Sequence, residues 1–152
     1  MAGAAQPGRG RSRAVATWLA LLGGSLGLHR FYLHGARDFW AWLHPWPTLV
    51  GAFGFWRLRE FGVDDARGSL LVLFLGAMIA VSMLQAIVYG LTGDEQWARR
   101  HGAPPAPRGP AWPTYVAVGL ALAIGAAVAM ATIAFAAQRY FESRAESAAA
   151  LR

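Results

Sequence analysis

The sequence has no cysteine, no lysine and few charged side chains of any kind. With no Cys among 152 residues, disulfide frameworks, thiolate metal sites, cysteine nucleophiles and redox pairs are excluded. Charged residues make up 14% of the chain and hydrophobic ones 56%, whereas a soluble domain carries about 25% charge. The chain therefore lacks the polar surface of an ordinary soluble enzyme and the polarity of a disordered tail. All 14 basic residues are Arg and the net charge is +6. They stand between apolar runs, a placement that reads as a membrane-topology signal and not as a nucleic-acid footprint. P-loop, GxGxxG, GxSxG, HExxH and EF-hand patterns are all absent, so no enzyme, cofactor or metal centre is expected.

What is present is length without charge. Ser69–Thr92 and Thr114–Ala137 each run 24 residues without a charged side chain, and about 20 such residues cross a bilayer core as a helix. Both are expected to be transmembrane helices. Ala14–Leu28 adds 15 uncharged residues, which become a span if Phe31, Tyr32 and Leu33 extend them and Arg30 snorkels. Phe39–Trp56 adds 18, interrupted by His44, Pro45 and Pro47. Two prolines so close kink or break a helix, so this span bends, or starts near Pro47 after an interfacial piece at Phe39–Leu43. The expected fold class is all-α, an integral membrane bundle of four transmembrane helices with the second broken by Pro45/Pro47. Its parts are a disordered basic N-tail (1–13), a transmembrane hairpin (14–61), a third helix (69–92), a Pro-rich extended loop (94–113), a fourth helix (114–141) and a C-tail (142–152).

With four spans, the N-tail, the middle loop and the C-tail share one face, which then holds nine Arg against five on the other. That excess expects both termini in the cytoplasm. Trp40, Trp42, Trp46, Trp97, Trp112 and Tyr115 would mark the outer boundary, and Trp18, Trp56, Tyr140 and Phe141 the inner one, because their rings are apolar and their polar tips stay wet. Arg-only basicity with abundant Ala, Gly and Pro fits a GC-rich genome, hence a bacterial cytoplasmic (inner) membrane. A signal peptide cleaved at Ser25-Leu26-Gly27 is set aside, because aromatic belt residues follow at once and pair the run with a second span.

The most specific string is GLHRFYLHG, Gly27 to Gly35, preceded by SRAVATWLALLGGSLG and followed by GFWRLREFGVDD. It resembles the TM2 domain family over roughly residues 12–69, under half the chain. The resemblance implies a membrane hairpin whose linker carries an H/D-R-F motif followed by Tyr-Leu-Gly. His29, Arg30 and Phe31 fall on the motif, Tyr32 and Leu33 follow in register, and Trp56 takes the closing aromatic position. The chain departs from the pattern where His34 is inserted before Gly35, where Glu60 fills the acidic position, and where Pro45 and Pro47 disturb the second helix. The family carries no settled biochemical activity, so the resemblance implies a module and not a reaction.

Within that turn, Arg30 and Arg37 stand close to Asp38. An Arg–Asp pair would fix the hairpin and Asp38 would cap the next helix, whereas an unpaired guanidinium would hold a lipid phosphate or a partner carboxylate. Glu60, at the opposite end of the hairpin, has Arg11 or Arg13 as its expected partner. His29, His34 and His44 fall within 16 residues, but no carboxylate stands at ligand spacing, so they read as interfacial side chains and not as a metal site. Gln85 is the one strongly polar side chain in the middle of the third span and is expected to bond a neighbouring helix. Asp94, Glu95 and His101 read as a solvated loop.

Small residues form the remaining pattern. Ala117, Ala121, Gly125 and Ala129 recur every four residues, as do Gly119, Ala123, Ala127 and Ala131, and Gly23 and Gly27 make the same step in the first span. Such rows let helix backbones approach where no hydrophobic effect drives association. The expected function is a non-enzymatic scaffold or adaptor in the membrane, in contact with lipids and with a membrane-protein partner or further copies of itself. The alternative is a small oligomeric channel or transporter lined by Gln85, Arg30 and the histidines.

Overall fold

The computed structural model describes residues 11–101 and 111–150, and among them there is no strand. Seven helices follow in order: α1 (Arg13–Gly23), α2 (Leu28–His34), α3 (Phe39–Leu43), α4 (Pro45–Phe61), α5 (Ala66–Leu91), α6 (Asp94–His101) and α7 (Trp112–Ala150), with a single 3-10 turn (Gly24–Leu26) between the first two. Two of them, α5 and α7, are long and apolar enough to cross a membrane. At 26 residues α5 is about 39 Å long. α7 continues to Ala150, so its charged last turns extend past the apolar stretch.

α5 is the hub, packed against α4, α7 and α1. Its contacts run through small side chains. Ala20, Ala86, Ala117 and Ala121 are fully buried together with Met83 and Leu21. A Cβ on Gly51 would stand 2.6 Å from the Leu75 Cβ, and one on Gly54 would stand 2.5 Å from the Val72 nitrogen. α4 and α5 thus touch backbone to backbone, where only glycine fits. The row Ala117, Ala121, Gly125 and Ala129 faces the other elements, with Gly125 against Met83, whereas Gly119, Ala123, Ala127 and Ala131 are exposed.

The first apolar run departs from the expected span. α1 is 11 residues long, about 16 Å, roughly half a bilayer core. The string GGSLG ends it, since glycine is about 1 kcal/mol poorer than alanine in a helix interior. At Gly27, φ is +79, the left-handed turn that glycine adopts without strain. α2 then runs back beside α1, so that the Tyr32 hydroxyl accepts from the Ser12 amide (2.8 Å) and the Tyr32 carbonyl accepts from Arg11 Nε (2.7 Å). Phe31, Tyr32 and Leu33 therefore do not prolong the first helix. Gly23 and Gly27 also serve differently than expected: Gly23 packs on Leu28 and Gly27 on the Ala41 carbonyl and His44, so they shape a reversal and not a packing row along one helix.

This reversal changes which ends meet. Arg13 donates to the Thr92 carbonyl and pairs with Asp94 at 3.3 Å, and Trp97 Nε1 donates to the Arg11 carbonyl at 2.7 Å. The start of α1 therefore lies at the end of α5, beside α6, and not with the α4–α5 turn. Arginines among the described residues now divide into Arg11, Arg13, Arg30, Arg37, Arg99 and Arg100 at one end and Arg57, Arg59, Arg67, Arg139 and Arg144 at the other. The nine-to-five asymmetry is gone, and with it the argument that put both termini on one face. Trp18, on α1, also belongs to the half of the molecule that holds α6.

The second expected span is divided at His44 into α3 and α4. His44 itself keeps helical dihedrals (φ −59, ψ −42). The break follows from the amide hydrogens that Pro45 and Pro47 lack. Asp94–His101 is helical, where an extended loop was expected, with Asp94 and Glu95 in its first turn and Arg99, Arg100 and His101 in its last, the order that the helix dipole favours. The proposed disordered leader up to Gly10 and the Pro-rich stretch from Gly102 to Pro110 lie outside the described residues.

Candidate functional site

Arg30, on α2, and Asp38, at the start of α3, are joined at the corner between these helices. Arg30 Nε and its terminal nitrogen each lie 3.0 Å from Asp38 Oδ2, while Oδ1 accepts from the Trp40 amide at 3.1 Å. Asp38 thus pairs and caps at once. Desolvation opposes ionisation of Asp38, but the hydrogen bonds from Arg30 and the Trp40 amide outweigh it and hold the carboxyl below its usual range. His34 stands 3.7 Å from the same carboxylate. Gly35 makes the turn at φ +81 and ψ 179, a region essentially reserved for glycine. Phe31 packs edge-on against Trp42, centroids 5.2 Å apart. An Arg30 so engaged is a clamp for the corner.

A second corner of the same construction, which sequence reasoning missed, joins α4 to α5. Arg57 Nε and its terminal nitrogen bond Asp65 Oδ2 and Oδ1 at 2.7 and 3.1 Å, and Asp65 also accepts from the Gly68 amide at 3.0 Å. Gly62 turns the chain at φ 82 and ψ 174. Both corners read Arg-x4-Gly-x2-Asp, at Arg30-Gly35-Asp38 and Arg57-Gly62-Asp65. That spacing was the available signal. Glu60 sits exposed on the last turn of α4, at the end opposite Arg11 and Arg13, whose partners are Tyr32, Thr92 and Asp94. The expected Glu60 pairing is therefore wrong, because α1 does not reach that end. Trp56 lies on the same part of α4, half-exposed, against Phe53.

Between the corners, polar groups collect where α1 breaks. His29 is completely buried, and neither ring nitrogen has a protein hydrogen-bond partner. A buried unsatisfied group of this kind costs about 1–3 kcal/mol. Its ring lies 5.7 Å from both His44 and Tyr89, centroid to centroid. His44 Nδ1 is held 2.8 Å from the Trp40 carbonyl. Ser82 bonds back to Met78 at 2.7 Å, and Gln85 presents a buried Oε1 without a partner. Thr48, one helical turn after His44, donates to the Ser25 carbonyl at 2.5 Å. His29 and His44 thus meet, while His34 turns to Asp38. Among the described residues no three His, Asp or Glu side chains gather closely enough to hold a metal.

Where α4, α5 and α7 meet, an open apolar groove of about 260 Å³ is lined by Leu58, Val72, Leu75, Ile79, Thr132 and Phe135 among others. At the opposite end, Trp97 is buried and stacks on His101 at 4.1 Å between ring centroids. Sequence reasoning placed Trp97 only at a boundary; its neighbours Leu33 and Ala16 come together solely through the reversal at Gly27. Comparison with protein-family models, with curated proteins and with solved structures finds no match to this chain.

Proposed function

We propose that the chain is a non-enzymatic integral membrane scaffold, with a TM2-type module at its N-terminal end, in a bacterial cytoplasmic membrane. In this reading α3–α4, α5 and α7 cross the bilayer, and α1 and α2 dip in and out from the face where α5 ends. The observation that carries the adaptor role is the division of small residues on α7. One row is consumed by α5 and α1, while Gly119, Ala123 and Ala127 stay exposed on another face, with nothing within 4 Å of the Gly119 Cβ position, and Ala131 turns toward the groove that α7 shares with α4 and α5. Small rows of this kind let a second helix approach closely in lipid. Crosslinking in cells, followed by mild extraction and native mass spectrometry, tests it. A discrete partner or homo-oligomer that is lost in Ala123→Leu/Ala127→Leu, with the protein still folded, supports the reading; assembly unchanged in that variant sinks it.

A second reading, a small oligomeric channel or transporter, is favoured by one observation, the unpartnered His29 and Gln85 beside a broken helix. Discontinuous helices with polar side chains at depth are where membrane transport sites are built. Specific, saturable flux in proteoliposomes, abolished by Gln85→Ala or Arg30→Ala, would move the weight to this reading.

A further inference from the structure

We propose that the break between α1 and α2 is an internal water-binding site centred on His29. A neutral imidazole carries one N–H donor and one lone pair, and in His29 both face protein that offers no partner. On α5, Ser82, Gln85 and Tyr89 recur at helical spacing and share one face. The Ser82 Oγ and His29 Nδ1 lie 3.1 and 3.5 Å from one point, the position that a Cβ on Gly24 would occupy. The Tyr89 ring flanks His29 from the next turn. Gln85 falls between Ser82 and Tyr89 along that stretch of α5, and its Oε1 is also buried without a partner.

The unmet demand is one donor and two acceptors, all on uncharged groups. Water answers it, since each molecule both donates and accepts and buried water typically makes about three such bonds; Nδ1 and Nε2 point away from each other across the ring, so each takes a molecule of its own. A divalent cation does not fit. No carboxylate belongs to the cluster, and the Arg30 guanidinium follows His29 directly in the chain and would repel it. Gly24 also matters: a Cβ there would stand 2.8 Å from the Ser82 Cβ, so a larger residue would push Ser82 and His29 Nδ1 apart. The site gives the broken helix a hydrated point in an otherwise apolar body. It rests on the break itself, while the membrane around it rests on the reading above.

The test uses the full chain, labelled with [15N]histidine and reconstituted in phosphatidylcholine–phosphatidylglycerol vesicles, with water-edited solid-state NMR. Vesicle flotation is run first, so that failure to enter lipid is seen separately from failure to bind water; protein that does not float is measured as the free protein. The chain has four His, and the His29 signal is the one lost in His29→Phe. Should that variant not fold, His34→Gln, His44→Gln and His101→Gln assign it by elimination. The expected result is rapid polarisation transfer from water to the His29 ring, close to that of the half-exposed His34, slowed several-fold in Gln85→Leu. A His29 ring that receives no polarisation on that timescale, or transfer that Gln85→Leu leaves unchanged, overturns the proposal.

Discussion

The two Arg-x4-Gly-x2-Asp corners use the same parts to different depth. At α4–α5 the guanidinium grips both carboxylate oxygens of Asp65, and the helices it joins touch backbone to backbone at Gly51 and Gly54. At α2–α3 Arg30 reaches a single oxygen of Asp38, because the other caps α3, and His34 shares the site. The α4–α5 corner closes a tight hairpin. The α2–α3 corner closes a short reversal whose interior still holds unpaired polar atoms. The repetition teaches that the conspicuous Arg and Asp of the motif are corner pieces, and that the unpaired polar atoms belong to the groups between them.

The comparison breaks most severely at Gly54. Leu there would drive a side chain into the α5 backbone, so Gly54→Leu should cost more than about 3 kcal/mol, the upper range of overpacking, and yield no monodisperse protein by size-exclusion chromatography. Next come the turn glycines. Gly35→Ala and Gly62→Ala each force alanine into a glycine-only region, at about 1–3 kcal/mol, and the two falls in Tm should match; a fall at one site alone would mean that the corners are not equivalent. The ion pairs separate them further. Asp65→Asn should lower Tm more than Asp38→Asn, since only Asp65 loses a two-pronged contact, and the reverse order would contradict the distinction drawn here.

A smaller effect is set by pH. Both carboxyls are held below their ordinary value of 3.8 in the folded chain, Asp65 chiefly by the Arg57 hydrogen bond. Their contribution is therefore fully present above about pH 4 and is lost as pH falls through the lowered values. The part of the fall in Tm that sets in below about pH 4 should therefore shrink in the Asp65→Asn/Asp38→Asn double variant, and an unchanged fall there would contradict the pairing. Least of all, Glu60→Gln should leave Tm unchanged. A clear loss there would restore a partner for Glu60 that the fold does not supply.

Charge-free length made α5 and α7 readable in the sequence, and the prolines made the break before α4 readable. The closeness of Arg30 and Asp38 was legible from their spacing, as was the capping role of Asp38. The fold-back at Gly27 was not, because Gly23 and Gly27 read equally well as a packing step on one helix, and only the left-handed turn tells the two apart. From that single ambiguity followed the misplaced Arg13, the lost partner of Glu60 and the unseen burial of Trp97. His29 was legible as a motif residue, but its burial against Tyr89 depends on the same turn. The Arg57–Asp65 corner was overlooked although the repeated spacing stood in the chain.

The central claim is that the start of α1 and the end of α5 lie at one face, opposite the α4–α5 turn. The absence of native cysteine allows a direct measurement with single-cysteine variants in oriented membranes, labelled by a membrane-impermeant maleimide. The account predicts that Ser12→Cys and Gly93→Cys react from one face, and Asp64→Cys and Ser147→Cys from the other. Labelling of Ser12→Cys together with Asp64→Cys, and apart from Gly93→Cys, would contradict it and return the first run to a full crossing.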